Sequence, residues 1–170
     1  LYEGGWDHHG GTDHSDGSKE RYIGVGLKRV KQVLGDMIYD PAGPALWIAD
    51  TGNSRVAKFN PVTSNYQQTV NTWGDESKMD IYVAKDVVDF VPKSQGTLFQ
   101  PSGLLLDGGW LYVSDYANGY FTAYNMEGTR INLLNTGLGE GALSGFALGA
   151  DTKIYFVDRK GNRVLRIDTE

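Results

Sequence analysis

Residues 111–121 read LYVSDYANGYF, and this stretch specifies the repeating unit of the chain. The apolar run that ends at Asp115 predicts a strand, Asn118 and Gly119 predict a tight turn, and alternation resumes at Tyr120. The same phrase recurs at residues 46–56, LWIADTGNSRV, and at residues 154–164, IYFVDRKGNRV. A phrase of strand, Asp, turn and strand that occurs three times predicts a fold built from repeated units.

Each phrase sits in a longer run of short strands joined by turns, which is the pattern of a propeller blade. The first run predicts strands at 33–39, 46–50, 55–60 and 66–73. The second predicts strands at 103–106, 110–115, 120–125 and 130–134, and the third at 144–148, 153–158 and 163–167. Asp115 and Asp158 lie 43 positions apart, which agrees with the ~40–50 residues of a blade.

The predicted fold is therefore all-β, with blades of four-stranded antiparallel meanders at residues 32–74, 99–138 and 139–170. Residues 75–98 break the rhythm and are interpreted as an insertion between blades. Residues 1–31 form a polar arm rich in Gly and His, in which 22–27 predict a short strand. Because the third run lacks a fourth strand, we consider the hypothesis that this strand closes the last blade.

The repeated phrase resembles NHL repeats, which open on Pro-x-Gly and continue with apolar-x-Asp, a turn containing Asn, and Arg-apolar. Residues 47–56 fit that pattern well, as do Pro101–Gly103 with residues 111–118. The second copy departs from it, because Tyr120 stands where Arg is usual, and the third has one extra residue in its turn. The resemblance covers about residues 32–170. It implies half of a six-bladed β-propeller, which a second copy or another protein would complete.

Composition limits the function classes. The chain of 170 residues has a net charge of −5, which argues against nucleic-acid binding through a basic face. It contains no cysteine, so disulfides, thiolate metal sites and cysteine nucleophiles are excluded. No apolar run approaches the ~20 residues that a membrane-spanning helix needs. The Gly-, Tyr- and Asn-rich composition, and a start at Leu1 that we interpret as processed, favour a secreted protein, extracellular or periplasmic.

All three histidines lie in the N-terminal arm: His8, His9 and His14, with Asp13 between them. Imidazole and carboxylate ligands suit a divalent ion such as Zn²⁺, and the nearby carboxylates offer oxygen ligands to Ca²⁺. The segment is therefore a candidate metal site. A solvated loop and a catalytic acid–base pair are the alternatives that the same residues leave open.

Five residues at the turn ends are candidate ligand-binding residues: Asp50, Asp115, Asp158, Tyr116 and Tyr120. Their structural alternative is that each Asp accepts backbone N–H bonds within its turn and each Tyr packs between blades. With no catalytic constellation in the blades, we expect a non-enzymatic scaffold that binds a protein, peptide or glycan. The alternative is part of a metal-dependent propeller enzyme, similar to the peptide-amidating lyases or to lactonase-like hydrolases.

Overall fold

A computed structural model describes residues 2–4, 19–71 and 78–168, and over these ranges the fold is all-β. Two 3₁₀ turns, Thr51–Asn53 and Lys93–Gln95, are the helical segments of the described chain. The strands, in chain order, are β1 (Tyr2–Gly4), β2 (Lys19–Ile23), β3 (Met37–Asp40), β4 (Ala45–Asp50), β5 (Arg55–Phe59), β6 (Asn65–Asn71), β7 (Lys78–Val83), β8 (Val88–Val91), β9 (Pro101–Asp107), β10 (Trp110–Asp115), β11 (Tyr120–Asn125), β12 (Arg130–Asn135), β13 (Leu143–Leu148), β14 (Ile154–Asp158) and β15 (Arg163–Ile167).

The strands form four sheets in two compact units. One unit comprises Leu1–Gly26 and Phe59–Val87 and contains the mixed sheet, ordered β1-β2-β7-β6. The other comprises Leu27–Lys58 and Val88–Glu170 and contains three antiparallel sheets. These are the first sheet, β3-β4-β5-β8, the second sheet, β9-β10-β11-β12, and the third sheet, β13-β14-β15.

The second sheet confirms the meander that the repeated phrase predicts. Its two middle strands have the predicted bounds, Trp110–Asp115 and Tyr120–Asn125, and pair antiparallel with Asp115 opposite Tyr120. Strands β9 and β12 flank them, each with one register shift. The alternation of apolar residues along β10 buries Leu111 and Val113 against the first sheet, so the period-two pattern specifies the face as well as the strand.

The residue just before the third strand of each sheet has a left-handed backbone: Ser54, Gly119 and Asn162 at φ 56°, 72° and 51°. Glycine and asparagine adopt that region more readily than other residues, which explains Gly119 and Asn162 at this position. Asn118 has another role, since its Oδ1 accepts the N–H of Tyr120 at 2.9 Å.

The fourth strand of the first sheet differs from the sequence prediction. The predicted strand at 66–73 exists as Asn65–Asn71, but it pairs with β7 in the mixed sheet. The position beside β5 is taken by Val88–Val91, from the segment interpreted as an insertion. That position faces the second sheet and needs apolar side chains: Val91 is fully buried there, whereas residues 65–69 are exposed.

Of the predicted N-terminal closing strand at 22–27, only Tyr22 and Ile23 form strand, and they belong to β2 of the mixed sheet. Lys19–Ile23 pairs antiparallel with β1 on one side and parallel with β7 on the other, so both of its edges are occupied. Tyr22 is buried and stacks on Tyr82 with ring centroids 5.5 Å apart, which anchors the strand within the mixed sheet. This strand therefore does not complete the third sheet.

Two apolar cores hold the three antiparallel sheets together. Between the first and second sheets, Trp47, Val56 and Val91 pack with Val113 and Tyr124. Between the second and third sheets, Phe121 meets the rings of Phe146 and Phe156 edge-on, at 5.0 and 5.1 Å. Successive sheets thus pack face to face, each covering the next.

Within the described residues, the third sheet has three strands and β15 forms its outer edge. In the first and second sheets the same position beside the third strand is occupied, by β8 and β12 respectively. The third sheet therefore presents a row of backbone groups that no strand in the described part of the chain pairs.

Candidate functional site

The three repeated aspartates end the second strands of their sheets and are buried: Asp50, Asp115 and Asp158. Burial of a carboxylate is costly unless its oxygens accept hydrogen bonds, and each of the three has donors from its own chain. The repeated sequence determines their positions, because the Asp is the last residue of the second strand and directly precedes the turn.

Asp115 is held by backbone N–H groups. Phe99, Gln100 and Ala117 donate to its carboxylate at 2.6, 3.1 and 2.9 Å, which ties the turn after β10 to the segment before β9. Burial raises the pKa of Asp115 above its ordinary value, although these N–H bonds favour the charged form and oppose the shift.

Asp158 has an arginine partner. Gly161 donates its N–H at 2.9 Å, and Arg163 donates from Nε at 2.9 Å. The bond from Gly161, reinforced by the bond and charge of Arg163, lowers the pKa of Asp158 below its ordinary value. The second copy has Tyr120 in place of this arginine, so Asp115 lacks the corresponding cation, and its pKa is raised chiefly by burial.

Asp50 repeats the arrangement with Arg55, whose Nε donates to Oδ2 at 2.7 Å. The N–H of Lys28 and the side-chain amide of Asn53 donate to the same carboxylate at 2.9 and 2.7 Å. Arg55 also donates to Asp89 on β8, so it links the turn to the fourth strand. Each aspartate therefore holds its turn to neighbouring segments of the chain through hydrogen bonds. The ligand-binding role of the three aspartates stays a prediction from the sequence.

The two predicted tyrosines lie at the same turn end and are partly buried. The Tyr116 ring lies 6.0 Å from the guanidinium carbon of Arg159, and its backbone N–H donates to the carbonyl of Gln100. Tyr120 begins β11 opposite Asp115. The structure places both tyrosines beside Asp115, at the turn end of the second sheet.

The predicted metal ligands His8, His9, His14 and Asp13 lie outside the described residues. Within the described ranges there is no group of three or more His, Asp or Glu side chains that could hold a metal ion. The metal site of the N-terminal arm stays a prediction from the sequence.

The sequence analysis missed a groove between the second and third sheets. Its volume is about 400 Å³, and Ile167 of β15 is among the residues that line it. Asp168 is the only charged residue among those that line it. The lining residues are Trp110, Tyr112, Phe121, Thr122, Ala123, Ile131, Asn132, Leu133, Leu134, Ile154, Ile167 and Asp168.

Strand register explains why the groove is open. Leu134 pairs with Phe121, and Phe121 packs on the third sheet, so this row of side chains faces β14 and β15. Leu134 remains 42% exposed, because the third sheet ends at β15 and no described strand covers it. The sequence carried one signal: residues 130–134 bring three large apolar residues to a strand whose neighbouring sheet lacks its fourth strand.

The groove can bind an apolar side chain, because its walls are aromatic and aliphatic. Its lining also includes the polar residues Asn132 and Asp168, and a carboxylate oxygen of Asp168 lies 2.9 Å from Nε of Arg166. Apolar walls with a few polar groups are typical of a binding surface.

Comparison with known proteins gives no relative: no protein-family model and no curated protein matches the chain. In the described part of the chain, no helix has the length and apolar character needed to cross a membrane.

Proposed function

We propose that the chain is a binding module of the β-propeller type, similar to NHL repeats, and that it engages a protein or peptide through the groove between the second and third sheets. The observation that carries this proposal is an apolar groove of about 400 Å³ that aromatic and aliphatic side chains of the second and third sheets line. Exposed apolar surface of this kind marks interaction sites in soluble proteins.

The chemistry of the groove favours binding over catalysis. Asp168, whose carboxylate pairs with Arg166, is the one charged residue of its lining, which contains no histidine, lysine or arginine. The three aspartates that would serve an enzyme at the turn end accept bonds from their own chain instead. The metal-dependent alternative rests on the histidine arm, and an extracellular or periplasmic location rests on composition.

A peptide library tests the proposal. Random linear peptides displayed on phage are selected on the immobilised chain, and the strongest peptide is synthesised with a fluorophore and titrated by anisotropy. We expect Leu134→Asp to weaken its binding at least about tenfold, because the new carboxylate would be desolvated in the groove. Leu34→Asp is the matched control: Leu34 is 71% exposed and lies outside the groove, so this variant should bind within about twofold of the parent.

Failure of the library to yield any peptide would contradict the proposal. So would a peptide whose affinity Leu134→Asp leaves unchanged. Circular dichroism of both variants separates loss of binding from loss of fold, since Leu134 is already partly exposed and its replacement should leave the strand content intact.

A further inference from the structure

The chain is fastened in a similar way just before the first strand of each antiparallel sheet. The carbonyls of Lys28, Gln100 and Ala142 accept an N–H from the turn after the second strand, at 2.9, 2.8 and 2.9 Å. In the first two sheets the N–H of the same residue donates to the repeated aspartate, from Lys28 to Asp50 at 2.9 Å and from Gln100 to Asp115 at 3.1 Å. These three residues therefore mark corresponding points in the three sheets.

The first sheet takes a longer path from that point into its first strand. Met37, Leu104 and Phe146 are equivalent, because each pairs with the residue two positions before the repeated aspartate. Leu104 and Phe146 each follow their fastened residue by four positions, whereas Met37 follows Lys28 by nine. Since the other two sheets make this connection with four residues, the additional length of the first sheet serves no need that the repeated fold shares.

Residues 28–36, which we call the basic loop, are held at both ends. The first residue is fastened to the turn after β4, as described above. The last residue, Asp36, accepts the N–H of Ala49 through its carbonyl and that of Leu104 through its carboxylate, both at 2.9 Å. Fixed ends lower the conformational entropy that a loop loses when a ligand binds to it.

The tip of the basic loop has an unfavourable backbone conformation. The N–H of Val33 donates to the carbonyl of Val30 at 3.3 Å, and within this turn Gln32 lies at φ 65°. Glycine adopts that left-handed region freely, whereas a residue with a Cβ adopts it at a cost. Lys31 and Gln32 are both exposed at this tip. A costly turn that presents exposed side chains is typical of a segment with a role in binding.

The charge of the basic loop is opposite to that of the chain. Lys28, Arg29 and Lys31 are exposed, and residues 24–35 contain no acidic residue, although the net charge of the chain is −5. Among the described residues, none of these three cations forms an ion pair. Leu34, close to them in the same loop, is 71% exposed. Cations beside an exposed apolar side chain complement a partner whose carboxylates surround an apolar residue.

The net charge discriminates between kinds of anionic partner. Nucleic acids and anionic membranes are extended, so they meet the acidic remainder of the surface as well as the loop, and membrane recruitment uses clusters of about 4–8 cations. A short peptide meets the loop alone, because charges more than about 8 Å away are screened at physiological ionic strength. The loop also has no aromatic residue on which a base could stack.

We propose that the basic loop is a second binding site, which takes a short linear segment of a partner protein with acidic residues on both sides of a large apolar residue. The carboxylates pair with Arg29 and Lys31, and the apolar residue packs on Leu34. No residue of the basic loop lines the groove. The inference therefore goes beyond the proposed function and holds whether or not the groove binds a peptide.

A peptide array supplies the probe. Its peptides of twelve residues carry Asp and Glu at varied positions around one Leu, Ile or Phe, and each has a copy with Asn and Gln in place of the acids. We expect the chain to bind acidic peptides and to leave their amide copies at background. The strongest acidic peptide is then labelled with a fluorophore and titrated by anisotropy, where binding should weaken at least about fivefold between 50 and 500 mM salt.

A matched pair of double variants tests the cations. Arg29→Gln with Lys31→Gln should weaken binding of the acidic peptide at least about fivefold, because both charges face the ligand. Arg159→Gln with Lys160→Gln removes one arginine and one lysine from the exposed turn after β14, so its net charge is the same. This control should bind within about twofold of the parent chain.

The apolar contact has its own pair. Leu34→Asp should weaken binding at least about tenfold, because it removes the apolar surface and adds a charge that repels the peptide. Leu134→Asp adds the same charge within the groove and should stay within about twofold. The roles of these two variants are thus the reverse of their roles at the groove, which separates the two sites.

Deletion of residues 29–33 tests the origin of the loop. It leaves four positions from Lys28 to Met37, as in the other two sheets. We expect circular dichroism to show the strand content of the parent chain and the acidic peptide to show no detectable binding. A deletion variant that fails to fold would show that the first sheet needs the longer connection and would overturn this argument for the site.

Three results with the folded chain would overturn the inference: no acidic peptide that binds with a Kd below about 1 mM, amide copies that bind equally well, or equal effects of the two charge variants. Single-stranded DNA or vesicles with anionic lipid that bind more tightly than the peptide, and that depend on Arg29 and Lys31, would assign the loop to a polyanion instead. Light scattering covers the remaining occupant, since a dimer that the loop deletion dissociates would assign the loop to a second copy of the chain.

Discussion

At the scale of single residues, one buried carboxylate recurs in two electrostatic settings. Asp158 has a cationic partner in Arg163, whereas Asp115 relies on backbone N–H groups because Tyr120 replaces the arginine. Burial is the largest influence on the pKa of Asp115, whereas hydrogen bonds from Gly161 and Arg163 outweigh burial at Asp158. The sequence shows this contrast, because Arg163 and Tyr120 stand at corresponding positions.

The contrast predicts opposite pH dependences. Unfolded Asp has a pKa of about 3.9. Since folding lowers the pKa of Asp158, its contribution to stability is present above that value and is lost as the pH falls through the folded pKa. Since folding raises the pKa of Asp115, its contribution is present below about 3.9 and is lost as the pH rises through the folded pKa.

Carboxyl ¹³C chemical shifts measured during a pH titration give both values in one sample. We expect the pKa of Asp115 to lie above that of Asp158. Asp115→Asn and Asp158→Asn assign the two resonances. The reverse order would mean that the N–H bonds to Asp115 outweigh its desolvation, and the predicted pair of opposite pH dependences would then be wrong.

At the scale of elements, the sequence predicted strands better than it predicted their partners. The hairpin of β10 and β11 was confirmed because its turn and its alternation are both local. The strand at 65–71 was found but pairs elsewhere, since β-propensity does not specify a neighbour. Residues 88–91 were missed as the fourth strand because a run of four residues carries little periodicity, and only the packing of Phe90 and Val91 on the core identifies it.

Substitutions at two glycines test the position of β8 in the first sheet. Gly128 and Gly137 have similar left-handed backbones, at φ 77° and 72°. A Cβ on Gly128 would clash with the carbonyl oxygen of Phe90 on β8, whereas one on Gly137 would meet nothing within 4 Å. Both Ala variants bear the cost of the left-handed backbone, about 1 kcal/mol, and only Gly128→Ala adds the clash.

Urea unfolding of the two variants measures the difference. We expect Gly128→Ala to lose at least about 1 kcal/mol more of the free energy of unfolding than Gly137→Ala, because the carbonyl belongs to backbone and cannot swing aside. Equal losses would show that the turn at Gly128 does not approach Phe90, and β8 would then have to be placed elsewhere.

At the scale of the whole molecule, the repeat predicted the all-β class of fold but not the groove. Asp50, Asp115 and Asp158 recur at the turn end, and the sequence analysis therefore made them candidate ligand-binding residues. Each carboxylate accepts backbone N–H bonds of its own chain, and this structural role accounts for the recurrence. The groove depends on strands of two different sheets, among them β12 and β15, that are distant in sequence. No local pattern encodes such a surface, so it becomes visible only when the sheets are assembled.

The central proposal is that the library-selected peptide binds at the groove and not at the turn end. The decisive experiment is the change in amide ¹H–¹⁵N shifts of the labelled chain when the library-selected peptide is added. We predict that the largest changes fall on residues 130–134 and 163–168, with Tyr116 and Tyr120 nearly unchanged. Changes concentrated at Tyr116 and Tyr120, with the groove unaffected, would contradict the proposal and return the site to the turn end.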